Sequence, residues 1–201
     1  MSELIKSTST DEQIPTRENI DINPESYIPD EKQLLQMTSL LEILKTCKIT
    51  DINPIVLGGY GLDGMYGKLT RDHDDIDMLV DDKQLEKMAK IMNTLGYRQD
   101  PNELDKAVFK TEFNNHFKIE FAGISTLLNQ FSYKDKSYFI PDKSNAILNG
   151  QPFKAITLRG QKEIIEIQNL RAKQKGWGPY PLAKRQNQSW LINILKQRGV
   201  I

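Results

Sequence analysis

Apolar positions along the chain follow helical and strand periods in alternation. From Asp30 onward, Leu34, Met37, Leu41 and Leu44 recur every three or four residues, the spacing that lines one side of a helix, and Asp30 is placed to cap it. Ile55, Val56 and Leu57 form a short apolar run of the kind that fills a buried strand, and a short helix is expected over about residues 60–66. Residues 75–80 then read as a strand in which Asp75 and Asp77 share one face while Ile76 and Met78 point into the core. Asp81 and Asp82 can cap a further helix, with Leu85, Met88, Met92 and Leu95 along one side and Gly96 as its stop. Residues 108–111 and 116–121 predict two strands joined at Asn114-Asn115. In the second of them Phe117, Ile119 and Phe121 face one way, Lys118 and Glu120 the other. The stretch 123–158 reads as loop-rich, with β-like pieces around residues 138–140 and 153–156. Two helices, about 160–175 and 182–197, close the pattern around the rigid aromatic loop that holds Trp177 and Tyr180.

This pattern predicts an α/β (α+β) fold, a small mixed sheet flanked by helices with a C-terminal helical part. Residues 1–29 carry Pro15, Pro24 and Pro29 and few large apolar groups, so they are expected to form a loosely ordered extension. Residues 30–158 would be the core, and 159–201 a helical part of the same domain. With Lys+Arg and Asp+Glu both at 27, the formal net charge is zero, and no global field favours a polyanion; nucleic acid is a poor fit as partner. The single cysteine, Cys47, cannot form an internal disulfide, and no segment is apolar enough to span a bilayer or act as a signal peptide, so a cytoplasmic protein is expected.

The candidate chemistry sits between the first two strands. Gly58 and Gly59 let backbone approach a phosphate without a Cβ in the way, and Asp75 and Asp77 follow on one strand face. Two adjacent carboxylates repel each other unless a cation such as Mg²⁺ lies between them. With Glu120 as a third acid on another strand, the parts match a site that holds a nucleoside triphosphate through Mg²⁺. Residues 59–64 also satisfy G-x-G-x-x-G, the dinucleotide fingerprint, but the segment before the next strand is too short for a crossover helix and no parallel βαβ series follows. No Gly-Lys-Ser/Thr follows either, which excludes a Walker loop. Arg71 can fork onto phosphate oxygens; His73 can bond a phosphate, orient Asp75 or simply pack. For Asp63 a structural role is favoured.

The run Gly58, Gly59, Tyr60, Leu62, Asp63, Gly67, Lys68, Arg71, His73, Asp75, Ile76, Asp77 resembles that of the antibiotic nucleotidyltransferases, the aminoglycoside 2''- and lincosamide nucleotidyltransferases of the DNA polymerase β-like superfamily. A weaker resemblance spans about residues 30–198. It implies an enzyme that transfers a nucleoside monophosphate, usually AMP from ATP with Mg²⁺, to a hydroxyl of a small acceptor. Asp75 and Asp77 match the metal-binding aspartates, and Glu120 falls where the family has its general base, usually Asp. Gly58, Gly59, Arg71 and His73 would meet the nucleotide. The region 184–190 lacks the acids found there in relatives, which suits a lincosamide better than a polycationic aminoglycoside. A protein or tRNA acceptor, as in toxin-type relatives, and a non-catalytic nucleotide sensor are the alternatives.

Overall fold

The computed structural model describes residues 26–99, 107–111, 118–124, 130–133, 136–139 and 143–161. The closing helices, the Trp177–Tyr180 loop, the 184–190 region and most of the N-terminal extension lie outside them.

Helix α1 spans Glu31–Ile49 and begins where Asp30, in extended conformation, accepts the Gln33 N–H at 2.8 Å. Its inward face is not the one the leucines announce. Leu40, Ile43, Leu44 and Cys47 are buried, but so are Gln33 and Gln36, whereas Leu34 is 44% exposed. The true stripe runs 33, 36, 40, 43, 47, helical spacing whose first two places are amides.

Strand β1 (Ile55–Val56) leads directly into α2 (Gly58–Tyr66), followed by β2 (Asp75–Asp81), a 3-10 turn (Asp82–Gln84) and α3 (Leu85–Thr94). Next come β3 (Tyr97–Gln99), β4 (Ala107–Thr111), β5 (Lys118–Ile124), β6 (Gln130–Tyr133), β7 (Lys136–Phe139), β8 (Lys143–Leu148) and β9 (Gln151–Ile156). Seven strands form one mixed sheet in the order β3-β4-β5-β2-β1-β9-β8; β6 and β7 pair separately. β1 runs antiparallel to β2 and parallel to β9, and β2 runs parallel to β5. Antiparallel β1 and β2 rule out a dinucleotide βαβ unit at Gly59–Gly64.

The stretch read as loop-rich is thus mostly strand. Its signal was Asn149-Gly150, the dipeptide of two-residue hairpins, here with φ of 47° and 76° as a turn of type I′ requires. That hairpin delivers β9 beside β1.

The two faces of the sheet are covered differently. On one, Ile76, Met78, Val80, Ile119 and Phe121 pack with Leu40, Ile43, Met88 and Met92 from α1 and α3. Truncating such a buried aliphatic side chain to Ala costs about 2–5 kcal/mol. On the other, Ile55, Leu79 and Ile156 form a smaller apolar cluster against Leu57 and Ala122. Side chains alternate along a strand, so Asp75, Asp77 and Glu120 lie on this second face, at the end of β2 beyond Leu79. Among the described residues no helix is long and apolar enough to cross a membrane.

Candidate active site

The acids are aligned by strand register. In the parallel β2–β5 pair, Asp75 lies opposite Lys118 and Asp77 opposite Glu120, so the third acid sits on the neighbouring strand at the level of the second. All three are half-buried. Among the described residues no group of three or more His, Cys, Asp or Glu draws together as a ready-made metal cage.

The glycines belong to a helix rather than to a turn ahead of one. Gly58 is the first residue of α2, entered from extended Leu57 with a left-handed φ of 59°. A Cβ there would stand 3.1 Å from Asp77 Oδ2, so the backbone rests against the carboxylate. At Gly59 a Cβ would fall 2.2 Å from His73 Nδ1 and 2.7 Å from an Arg71 Nη, which no packing tolerates. Leu57 caps the helix without a side-chain hydrogen bond, so the N–H groups of the first turn depend on other acceptors. Gly58 N–H has one: Gln161 Oε1 at 3.2 Å, and Gln161 Nε2 donates to Gly58 O at 3.4 Å. The N–H groups of Gly59 and Tyr60 belong to the same first turn, which has no intrahelical acceptors for them.

Beside these sits Arg71, whose guanidinium donates to Asp72 O at 3.0 Å. Burial lowers its pKa from the ordinary value, and Asp63, Asp75 and Asp74 oppose that shift. The group remains a cation, with one Nη beside Gly59.

His73 is turned inward. Its ring packs against Tyr60 at a tilt of 38° with centroids 4.3 Å apart, and its Nε2 lies 2.7 Å from Asp63 Oδ2. A carboxylate only accepts, so Nε2 carries the proton. Asp63, fully buried, also accepts from Thr70 Oγ1 at 2.5 Å and Thr70 N–H at 3.2 Å. The His73 backbone is gripped by Gln33, which accepts from its N–H at 2.8 Å and donates to its carbonyl at 3.0 Å. Tyr60 O–H donates to Gln36 Oε1 at 3.1 Å, and burial first, then Asp63, raises the phenol pKa. The sequence offered phosphate, Asp75 or simple packing for His73; the structure places its Nε2 on Asp63, the aspartate for which a structural role was favoured. Gln33, Gln36, Thr70 and Gln161 had not been singled out. For the two α1 amides the signal was present in their helical spacing with Leu40 and Cys47; for Gln161 nothing local marked it.

At the chain's N-terminal side, Tyr27 packs on the main core and donates to Asp72 Oδ1 at 2.6 Å. The end of the expected loose extension is therefore anchored beside the Arg71 loop.

A mixed sheet with paired aspartates beside a glycine-initiated helix is the layout of nucleotidyl transfer proteins. The family model described as "Uncharacterised nucleotidyltransferase" matches residues 2–156, and the chain belongs to that family. Its activity class is nucleotidyl transfer. In fold it is similar to ANT(2'')-Ia in complex with adenylyl-2''-tobramycin, with a TM-score of 0.59 at 19% identity over 83% of this chain and 92% of that one. The solution structure of ANT(2'')-Ia gives 0.60 at 18% over 81% and 85%. Lincomycin-bound lincosamide antibiotic adenylyltransferase LnuA gives 0.53 at 18% over 67% and 96%. At such identities the likeness speaks for the fold. No curated protein matches the chain in sequence.

Proposed function

We propose that the protein transfers a nucleoside monophosphate, AMP from ATP, to a hydroxyl of a small molecule, with a lincosamide or aminoglycoside as the acceptor class. The observation that carries this reading is the register that sets Glu120 beside Asp77 on the face where Gly58 brings the N-terminus of α2 against the same aspartate. A divalent cation fits the donor set. Mg²⁺ takes one or two protein carboxylates and completes its shell with substrate phosphates and water, so two same-face aspartates suffice without a third ligand. Asp75 and Asp77 would hold it, and when bound it supplies neutralisation of the triphosphate charge.

The chain's own residues do the rest. Arg71 and the N–H groups of Gly59 and Tyr60 draw the phosphates to the helix end. Glu120 accepts the proton of the acceptor hydroxyl; the oxygen attacks the α-phosphorus in line, and pyrophosphate leaves. His73 serves through position, holding the Arg71 loop against α2 by its bond to Asp63.

Purified protein incubated with Mg²⁺, each nucleoside triphosphate and a panel of lincosamides and aminoglycosides should yield a product heavier by one nucleoside monophosphate in mass spectrometry. Label transferred only to protein or tRNA would redirect the acceptor to a macromolecule, and triphosphate binding with no transfer to any acceptor would mark a sensor.

A further inference from the structure

Gln161 lies 103 positions from Gly58 in sequence, yet its carboxamide engages both backbone polar groups of that residue, the N–H through Oε1 and the carbonyl through Nε2. The side chain is 3% exposed. Its Nε2 also lies 3.1 Å from where a Cβ on Gly61 would stand, so the amide is seated on the first turn of α2 at a spot that glycine leaves open. The turn it grips rests on Asp77 Oδ2 through Gly58.

We infer that Gln161 is a positioning residue for the triphosphate, an inference that rests on the nucleotide reading of this site. Two consecutive glycines have the largest backbone freedom any dipeptide can have, and a phosphate cradle built from them must be ordered either beforehand or at the moment of binding. Gln161 orders it beforehand. By occupying Gly58 N–H it also assigns the phosphate-facing role to the next two N–H groups, and it fixes their register to the metal-holding aspartate. Loss of this tie leaves the site intact in composition but only fractionally competent, and apparent affinity falls by that fraction.

The test is Gln161→Met, which keeps length and volume and removes both hydrogen bonds. Amide exchange at Gly58 in the free protein should accelerate, and Mg·ATP affinity by calorimetry should fall about tenfold while kcat at saturation changes less. Gln161→Leu, which also removes both hydrogen bonds without adding charge, should show the same two changes, and it decides the matter if the Met variant does not fold. Gln151→Met is the control: Gln151 Nε2 donates to Leu41 O at 2.9 Å, the same kind of tie away from the acids, and its loss should lower Tm while leaving Gly58 exchange and ATP affinity alone. A Gln161→Met protein with lowered Tm but parental affinity makes Gln161 a structural clamp only and overturns the inference. A parent that binds no triphosphate overturns the proposed function itself, a result separable from the first because Gly58 exchange is read without nucleotide.

Discussion

Two sets of polar residues meet around one short segment of chain, residues 60–77, and they are used in opposite ways. Asp63, Thr70, His73, Gln33, Tyr60 and Gln36 turn inward, buried, and bond to one another beneath the Arg71 loop. Asp75, Asp77 and Glu120 stand side by side on a half-buried sheet face. The inward set lowers the energy of the folded state, because a buried donor or acceptor that loses its partner is expensive. The outward set is aligned by strand register, with carboxylates near enough to repel one another unless a cation lies between them. Stability and activity should therefore separate cleanly between residues only a few positions apart.

The largest effects should come from the outward set and appear in activity. Glu120→Gln keeps shape and loses the base, so transfer should drop by a factor on the order of 100 to 10,000 with triphosphate binding largely retained. In Asp77→Asn, loss of a charged oxygen should abolish Mg²⁺-dependent triphosphate binding in calorimetry, while relief of repulsion leaves Tm unchanged or higher. A lower Tm in Asp77→Asn would break the comparison.

The inward set should show the reverse. Asp63→Asn leaves Thr70 and His73 without a charged acceptor and should cost about 3 kcal/mol, a fall in Tm of roughly 10 °C for a chain of this size. Transfer at a temperature where the variant is folded should fall much less than in Glu120→Gln. Smaller still is Gly150→Ala in the β8–β9 turn, where a φ of 76° disfavours a side chain; about 1 kcal/mol of stability should be lost with transfer untouched.

Cys47 marks the bottom of the scale. Burial pushes its thiol from 9.0 up to about 12, and its Sγ lies 3.4 Å from Met88 Sδ. The folded state thus prefers the protonated form. Its contribution is fully present below the unfolded pKa near 9 and is lost as pH rises toward about 12. Alkylation at pH 8 should be negligible in the native protein and complete once it is denatured.

The outward set was legible in the sequence because strand alternation alone puts Asp75 with Asp77, and Lys118 with Glu120, on common faces. The inward set was legible only in part, through the structural role favoured for Asp63. Gln33 and Gln36 occupy core positions of α1, and a reading that looks for apolar residues passes over amides and moves the stripe to Leu34, which is exposed. What made those amides acceptable inside is distant chain, the His73 backbone forty residues on for Gln33 and the Tyr60 hydroxyl for Gln36, and such pairing leaves no local trace. The β8–β9 hairpin was missed for another reason: its Asn-Gly turn was present and residues 153–156 read as β-like, but along β8 apolarity does not follow the alternation of burial, with Ile147 turned out and Ala146 in. β9 is recognisable as a central strand only once its neighbour is known.

That neighbour, β1, is two residues long and lies between β2 and β9. A strand so short cannot hold its place by itself, and one of its partners begins at Gln151, nearly a hundred residues later. All three acids are synthesised before the partner strand exists. Completing the sheet means closing a very long loop, whose entropic cost falls before any contact repays it, so refolding should be slow for a domain of this size. A chain cut off after residue 148 would carry all three acids with β1 as an open edge, exposed to pairing with other chains.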